Sequence, residues 1–457
     1  VARGATALVT DTTPSPPSPR TAIATASAIR SGESTSEQVV RDCLDRIVEG
    51  EDVLRAWVHL DAEHALAQAR ARDAEPSRGP LHGVPIGVKD LIDTSDLPTA
   101  YGSPIHAGHR PAADATAVAR LREAGAVVLG KTVTTEFAVF TPGPTTHPDD
   151  PSRTPGGSSS GSAATVAAGG VPLALGTQTA GSVVRPASFC GVVGGKPTFD
   201  AIPTDGVKAC SSTLDHVGAF GRDVADVALA LGVMAGDVDR FRPADLGVRP
   251  RFGFCRTPQW HQLEASTRSA LEAGAERLAV LADVVEVTLP AAFAGLVEAQ
   301  QTIMAVELRR ALAWERAEHA DQLSDQLRRF LDDAAAAEDG YEDALALAES
   351  CRAQLPEVFT DPAVLLAPSV LGEAPPIDTT GDPLLCRAWT LLGTPSISVP
   401  GLIGPAGLPL GAQILAASGQ DAVALAGAAL AGVALTGSTA VVRGAAPSDA
   451  NARRPPS

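Results

Sequence analysis

Apolar residues recur at helical spacing soon after the chain begins. Val39, Val40, Cys43, Leu44 and Ile47 fall on one face, and Thr35 or Ser36 is placed to cap the helix that carries them. Asp61 opens a second helical stretch, in which Ala65, Ala67 and Ala69 favour the helical backbone. The texture then changes. Residues 83–93 (GVPIGVKDLID) form a short apolar run punctuated by Gly and Pro, which reads as a strand. A helix over 115–124, a β-branched strand over 126–129 and another short element from Thr135 follow. The run VPLALGTQT is strand-like, residues 262–285 and 297–356 are helical in pattern, and 364–367, 396–400 and 410–415 return to strand character. This alternation predicts an α/β fold with its sheet covered by helices on both faces. Sheet segments spread from 84 to 416 favour one continuous domain over two.

The ends read differently. Residues 1–19, rich in Thr, Pro, Ser and Ala, and residues 444–457 are expected to lack fixed structure, which leaves a domain of 20–443. The apolar run 422–435 is too short to span a membrane and reads as a buried helix. Residues 1–29 hold no continuous apolar stretch and so no secretory signal. Hydrophobic residues are 45% and charged residues 19%, enough apolar material for a large core. A balance of 36 basic against 53 acidic residues, −17, argues against nucleic acid or an anionic membrane as the main partner. The six cysteines are scattered without a CxxC pair, which points to buried free thiols in a reducing, cytoplasmic setting.

Two motif matches mislead. Gly125 to Thr132 spells GxxxxGK[ST], but a phosphate loop needs a strand before it and a helix after it. Here a helical pattern ends at Gly125 and Ala-Val-Val-Leu prefers an extended strand, so a helix end followed by a strand is expected. Gly157 to Gly161 spells GxSxG, yet the preceding HPDDPSRTPG holds three prolines and cannot be the buried strand of a nucleophile elbow. The nine histidines show no HxxxH or HxH spacing, His106 and His109 read as surface residues, and neither a metal nor an organic cofactor is expected.

The segment 154–197 carries ten Gly and six Ser. Within it the strand-like VPLAL runs through Gly176 and Gly181 to Ser182. A serine on a small-residue turn, with consecutive backbone N–H groups before it, suits acyl transfer: the hydroxyl attacks and the amides meet the oxyanion. Serine needs a base, and no histidine lies nearby in sequence. Lys89, between apolar Val88 and Leu91, is the candidate. To serve near neutral pH its pKa must fall from ~10.4 to ~7–8, a differential cost of about 4 kcal/mol. Burial among hydroxyls supplies such a shift, whereas the Asp90 carboxylate opposes it. Taken alone, Lys89 also fits a structural ion-pair lysine.

GGSSSGSAATVAAG followed by PLALGTQTAGSVVRPASFCGVVGGKPT resembles the amidase signature family. The resemblance extends through GVPIGVKDLID, LREAGAVVLGKTVTTEFA, DPAVLLAPSVLGEAPP, LLGTPSISVPG and GLPLGAQILA, roughly residues 22 to 436. It implies a single large domain with a central mixed, mostly parallel, twisted sheet. It also implies Lys89 as base, Ser158 as a bridging serine preceded by a cis peptide, and Ser182 as the acylated nucleophile. The N–H groups of Thr179, Ala180, Gly181 and Ser182 match the family's oxyanion loop.

Three positions depart from the common pattern. Ala180 stands where Gly is usual, which requires a negative φ, and Gln178 replaces a frequent Asp. The arginine usually two residues after the nucleophile comes third, as Arg185. This variant resembles a malonamidase-like branch whose shifted arginine faces a substrate carboxylate; pairing with a loop carboxylate is the equal alternative. The resemblance implies hydrolysis of a small or polar amide, with a homodimer as a compatible assembly. A glutaminase subunit of a tRNA-dependent amidotransferase and a non-catalytic member of the fold are the rivals. The acyl pocket is expected along residues 296–355, where Trp314, Phe330 and Tyr341 lie.

Overall fold

The computed structural model describes residues 19–139 and 141–437. The segments 1–19 and 444–457, expected to lack fixed structure, fall outside these apart from Pro19, as does the expected domain end at 443. Both early caps form. Thr35 Oγ1 accepts from the Gln38 N–H at 3.1 Å and opens the helix Ser36–Leu54. Asp61 Oδ1 accepts from the His64 N–H at 3.0 Å and opens Ala62–Asp73. The first helix buries Val40, Cys43, Leu44 and Ile47, with Val39 at the half-exposed margin of that face.

The described residues form one sheet of eleven strands. These are β1 Trp57–Leu60, β2 Pro85–Lys89, β3 Val127–Thr132, β4 Leu173–Gln178, β5 Val193–Lys196 and β6 His216–Gly221, then β7 Arg251–Cys255, β8 Asp283–Val287, β9 Val364–Pro368, β10 Ser396–Ile403 and β11 Pro409–Leu415. Their order is β1-β3-β2-β4-β6-β5-β10-β11-β9-β7-β8. Helices cover both faces, as Ala/Leu-rich stripes require. Val118, Leu231, Leu271 and Leu425 pack on one side, and Ile303, Leu308, Cys351 and Trp389 on the other. The chain folds as a single large α/β domain.

The sheet is mixed, but the "mostly parallel" expectation does not hold: four pairings are parallel and six antiparallel. The reason lies in two split crossovers. β4 and β5 run the same way, joined through the helix Val184–Phe189, and β6 inserts between them antiparallel to both. β9 and β10 repeat the arrangement through the helix Leu384–Leu391, with β11 inserted. Each insertion converts one parallel neighbour pair into two antiparallel ones.

The misleading strings resolve as their chemistry dictates. Gly125, at φ +95°, follows the helix Thr116–Glu123, and the chain then enters β3 with Lys131 buried inside the strand. The helical pattern of 262–285 ends at Leu278, and its last residues are the start of β8. All six cysteines are free and buried. His109 is exposed as expected, but His106 is half-buried, because its Nε2 lies 3.0 Å from the Glu315 carboxylate. The 422–435 run lies in the helix Asp421–Thr436, which packs on the sheet. Among the described residues no helix is long and apolar enough to cross a membrane.

The helix Ser160–Ala167 is pressed onto backbone at its first turn. A Cβ on Gly161 would lie 2.2 Å from Ala56 O and 2.5 Å from Val133 N, so neither neighbour can yield cheaply. Gly161→Ala is therefore expected to destabilise by about 3 kcal/mol. Gly50→Ala, in an open helical position with nothing within 4 Å, should stabilise by a few tenths to about 1 kcal/mol. Thermal unfolding of both variants checks the pair; a Gly161→Ala midpoint at or above wild type would refute the packing argument.

Candidate active site

Parallel pairing delivers the first groups. β2 lies between β3 and β4 in parallel register, so the carboxyl ends of all three strands finish on one edge of the sheet. Lys89 is the last residue of β2, and Thr177 and Gln178 end β4. The Gly/Ser loop before the helix Ser160–Ala167 crosses this edge with a cis peptide between Gly157 and Ser158. Lys89 Nζ donates to Ser158 Oγ at 2.8 Å and to Thr177 Oγ1 at 2.7 Å. The lysine is fully buried.

Burial is the main cause that brings the Lys89 pKa down to about 7; Cys210 and Asp215 oppose the shift and the Arg185 charge adds to it. Two other lysines are equally buried. Lys131 donates to Ile92 O at 2.5 Å and Thr99 Oγ1 at 2.6 Å, with the Asp90 carboxylate 3.7 Å away. Lys196 donates to Thr394 O at 2.5 Å and Pro197 O at 3.0 Å. Lys89 alone of the three meets only hydroxyls. Asp90, feared as a counter-charge to Lys89, faces Lys131 instead.

Ser182 lies on the turn between β4 and the helix Val184–Phe189 and is 7% exposed. Its hydroxyl makes no hydrogen bond among the described residues, so the Lys89–Ser158 contact is closed while the Ser158–Ser182 contact is open. Ser159 is held elsewhere: its Oγ exchanges hydrogen bonds of 3.3 Å with the Thr177 backbone. The serine turn is pinned from within. Gln178 Oε1 accepts from the N–H groups of Val183 at 2.8 Å and Val184 at 3.0 Å. Thr179 Oγ1 donates to Asp215 at 2.6 Å, and burial lifts that carboxylate to a pKa of about 6. Ala180 keeps φ outside the left-handed region, the condition an alanine must meet there. Gly181 is closely packed: a Cβ would lie 3.0 Å from Pro383 Cβ and 3.1 Å from Cys386 Cβ, so those neighbours would have to give by a few tenths of an ångström. The N–H groups of Ala180, Gly181 and Ser182 make no hydrogen bond among the described residues.

Arg185 is 5% exposed and turns towards backbone. Its Nη2 donates to Gly157 O at 2.6 Å and its Nη1 to Gly381 O at 2.7 Å. No loop carboxylate pairs with it among the described residues; burial brings its pKa down to about 10. Of the aromatic residues expected near the pocket, Trp314 is exposed and Tyr341 donates to Glu307 at 2.8 Å. Phe330 packs beside the core cluster of that face. Sequence reasoning did not single out Thr177; its place two residues before Thr179, on the strand entering the turn, is the only local clue.

The Amidase family profile matches residues 38–425. Among relatives, a glutamyl-tRNA(Gln) amidotransferase subunit of Chloroflexus aggregans is 42% identical over 58% of this chain, which spans 59% of that protein's length. The corresponding amidotransferase subunit of Synechococcus sp. is 34% identical over 85% of this chain and 92% of its own. Among solved structures, an amidase superimposes with a TM-score of 0.83 at 32% identity, over 90% of this chain and 98% of that one. The peptide amidase of Stenotrophomonas maltophilia gives 0.77 at 31% identity, over 89% and 96%. With the sheet, the hydroxyl-bound lysine and these matches in agreement, the chain belongs to the amidase family, hydrolases of amide C–N bonds.

Proposed function

We propose that the chain hydrolyses a small or polar carboxylic acid amide through an acyl-enzyme on Ser182, with Ser158 as proton relay and Lys89 as base. The bond from Lys89 Nζ to Ser158 Oγ, 2.8 Å, is the observation that carries this reading. Neutral Lys89 takes the Ser158 proton as Ser158 takes that of Ser182, whose oxygen bonds the amide carbon. The N–H groups of Thr179, Ala180, Gly181 and Ser182 receive the oxyanion. Each such donor supports the transition state by about 2.7–4 kcal/mol. The relay then returns the proton to the leaving nitrogen, the C–N bond breaks, and water deacylates Ser182 by the same route. Arg185 holds the carbonyl preceding Ser158, so its first task here is to fix the relay serine. A substrate carboxylate would have to compete with Gly157 O and Gly381 O for its donors.

A second reading rests on the relatives: a glutaminase subunit that passes ammonia to a partner, as the name of the amidotransferase relatives suggests. Gel filtration of the purified chain and a glutaminase assay separate the two. A free-standing amidase turns over alone on a panel of malonamate, short aliphatic amides and aryl amides. The amidotransferase reading requires glutaminase activity that appears only with a partner.

Ser182→Ala is expected to lose about 10⁴-fold or more in turnover, and Lys89→Met about 10³-fold. Labelling by a fluorophosphonate should map to Ser182; modification of Ser159 would overturn the assignment.

The pH profile has a definite sign. A lysine of pKa about 7 acts as base only when deprotonated, so kcat/KM should rise tenfold per pH unit below about 7 and level off above it. An acid limb centred near 6 would instead place the controlling proton on a buried carboxylate, Asp215 or Asp90.

A further inference from the structure

The oxyanion turn is gripped through its carbonyls. Gln300 Nε2, from the helix Leu296–Ala311, donates to Thr179 O at 3.0 Å. Thr390 Oγ1, from the helix Leu384–Leu391, donates to Ala180 O at 2.7 Å. Both peptide units are trans, so each carbonyl points opposite to the N–H of the same plane. Fixing Thr179 O therefore aims the Ala180 N–H, and fixing Ala180 O aims the Gly181 N–H. Neither of those N–H groups has a hydrogen-bond partner among the described residues.

The two donors are themselves oriented. Arg387 Nη1 donates to Gln300 Oε1, which leaves the amide nitrogen facing Thr179 O. Gln178 spends its Oε1 on the Val183 and Val184 N–H groups, so its Nε2 faces Thr390 Oγ1 at 2.9 Å. That hydroxyl oxygen, already accepting, turns its hydrogen to a carbonyl: Ala180 O at 2.7 Å is closer than Cys386 O at 3.1 Å. Gln300 and Thr390 are 0% and 1% exposed, so no water competes freely for these contacts.

We infer that Gln300, backed by Arg387, and Thr390, backed by Gln178, are positioning residues that aim the Ala180 and Gly181 N–H groups at the developing oxyanion. This rests on the reading of Ser182 as nucleophile. A merely structural role, satisfying two buried carbonyls, would cost stability without separating transition-state affinity from substrate affinity.

The test uses the full chain with Thr390→Val, Thr390→Ser and Gln300→Met, assayed on whichever amide of the panel wild type turns over. Thr390→Val and Gln300→Met should lower kcat about 10-fold to 100-fold while KM stays within about threefold. The Ki of the matching trifluoromethyl ketone, whose adduct with Ser182 carries the oxyanion, should rise by the same factor. Thr390→Ser should restore most of the loss, and the acid limb near pH 7 should stay in place because Lys89 is untouched. Circular-dichroism melts identify a variant that has not folded; if Thr390→Val is one, Gln300→Met decides the matter. Folded variants with unchanged kcat and Ki, or with KM and Ki rising together, overturn the inference. Wild type that neither hydrolyses any amide nor takes a fluorophosphonate at Ser182 marks instead the failure of the amidase reading, and the inference falls with it.

Discussion

The proposed chemistry depends on an amine whose charge burial disfavours. Burial lowers the pKa of all three enclosed lysines, Lys89 and Lys196 to about 7 and Lys131 to about 8. Their partners set them apart: Lys131 meets a carbonyl, the Asp90 carboxylate and the Thr99 hydroxyl, and Lys196 meets two carbonyls. A carbonyl or carboxylate has no proton to give and favours the charged form. Hydroxyls differ because each can accept from the amine or donate to its lone pair. Ser158 and Thr177 can therefore pair with Lys89 in either state, and burial is the main influence on which is populated. In the proposed role, such an amine is brought towards neutrality near pH 7 and is already in contact with the hydroxyl whose proton it would take.

The split crossovers explain how so many groups reach one turn. The β4 crossover carries Ser182 at the exit of its strand, just before its helix begins. The β9 crossover sends its own helix, Leu384–Leu391, back across the sheet so that Pro383 and Cys386 touch Gly181 and Thr390 reaches Ala180 O. One topological unit presents the serine and the other braces the peptides beside it. Glycine at 181 suits this close approach and answers to no unusual torsion.

Much of this was legible in the chain. Caps, periodicity and strand runs located both early helices and β2, β3, β4, β9, β10 and β11, and the resemblance pointed to Lys89, Ser158 and Ser182, with the first two now 2.8 Å apart. β5 (VGGK) and β7 (RFGFC) escaped because glycine weakens strand character locally; at Gly253 tertiary packing wins, with Leu365 and Val287 filling the space of a side chain. β8 was absorbed into a helical pattern whose last turn ends only a few residues earlier. Gln300 and Thr390 left no signal, since they lie 121 and 210 residues from the carbonyls they hold. Contacts of that span are set by how whole elements dock, which no window of residues records.

The departures at 178 and 185 make sense together. A carboxylate at 178 could accept from the Val183 and Val184 N–H groups, but it could not also donate to Thr390. Glutamine does both, and so links the start of the helix after Ser182 to the hydroxyl that holds Ala180 O. It does this without adding a negative charge to the turn. Arg185, one residue later than usual, reaches back to Gly157 O, and its charge adds to the burial that lowers the Lys89 pKa. Both changes push the local electrostatics the same way, away from an ammonium at 89. Under the proposed mechanism they form one coupled adjustment of Lys89 and the turn at 179–182, with the contact to Gly157 O fixing Ser158 between them.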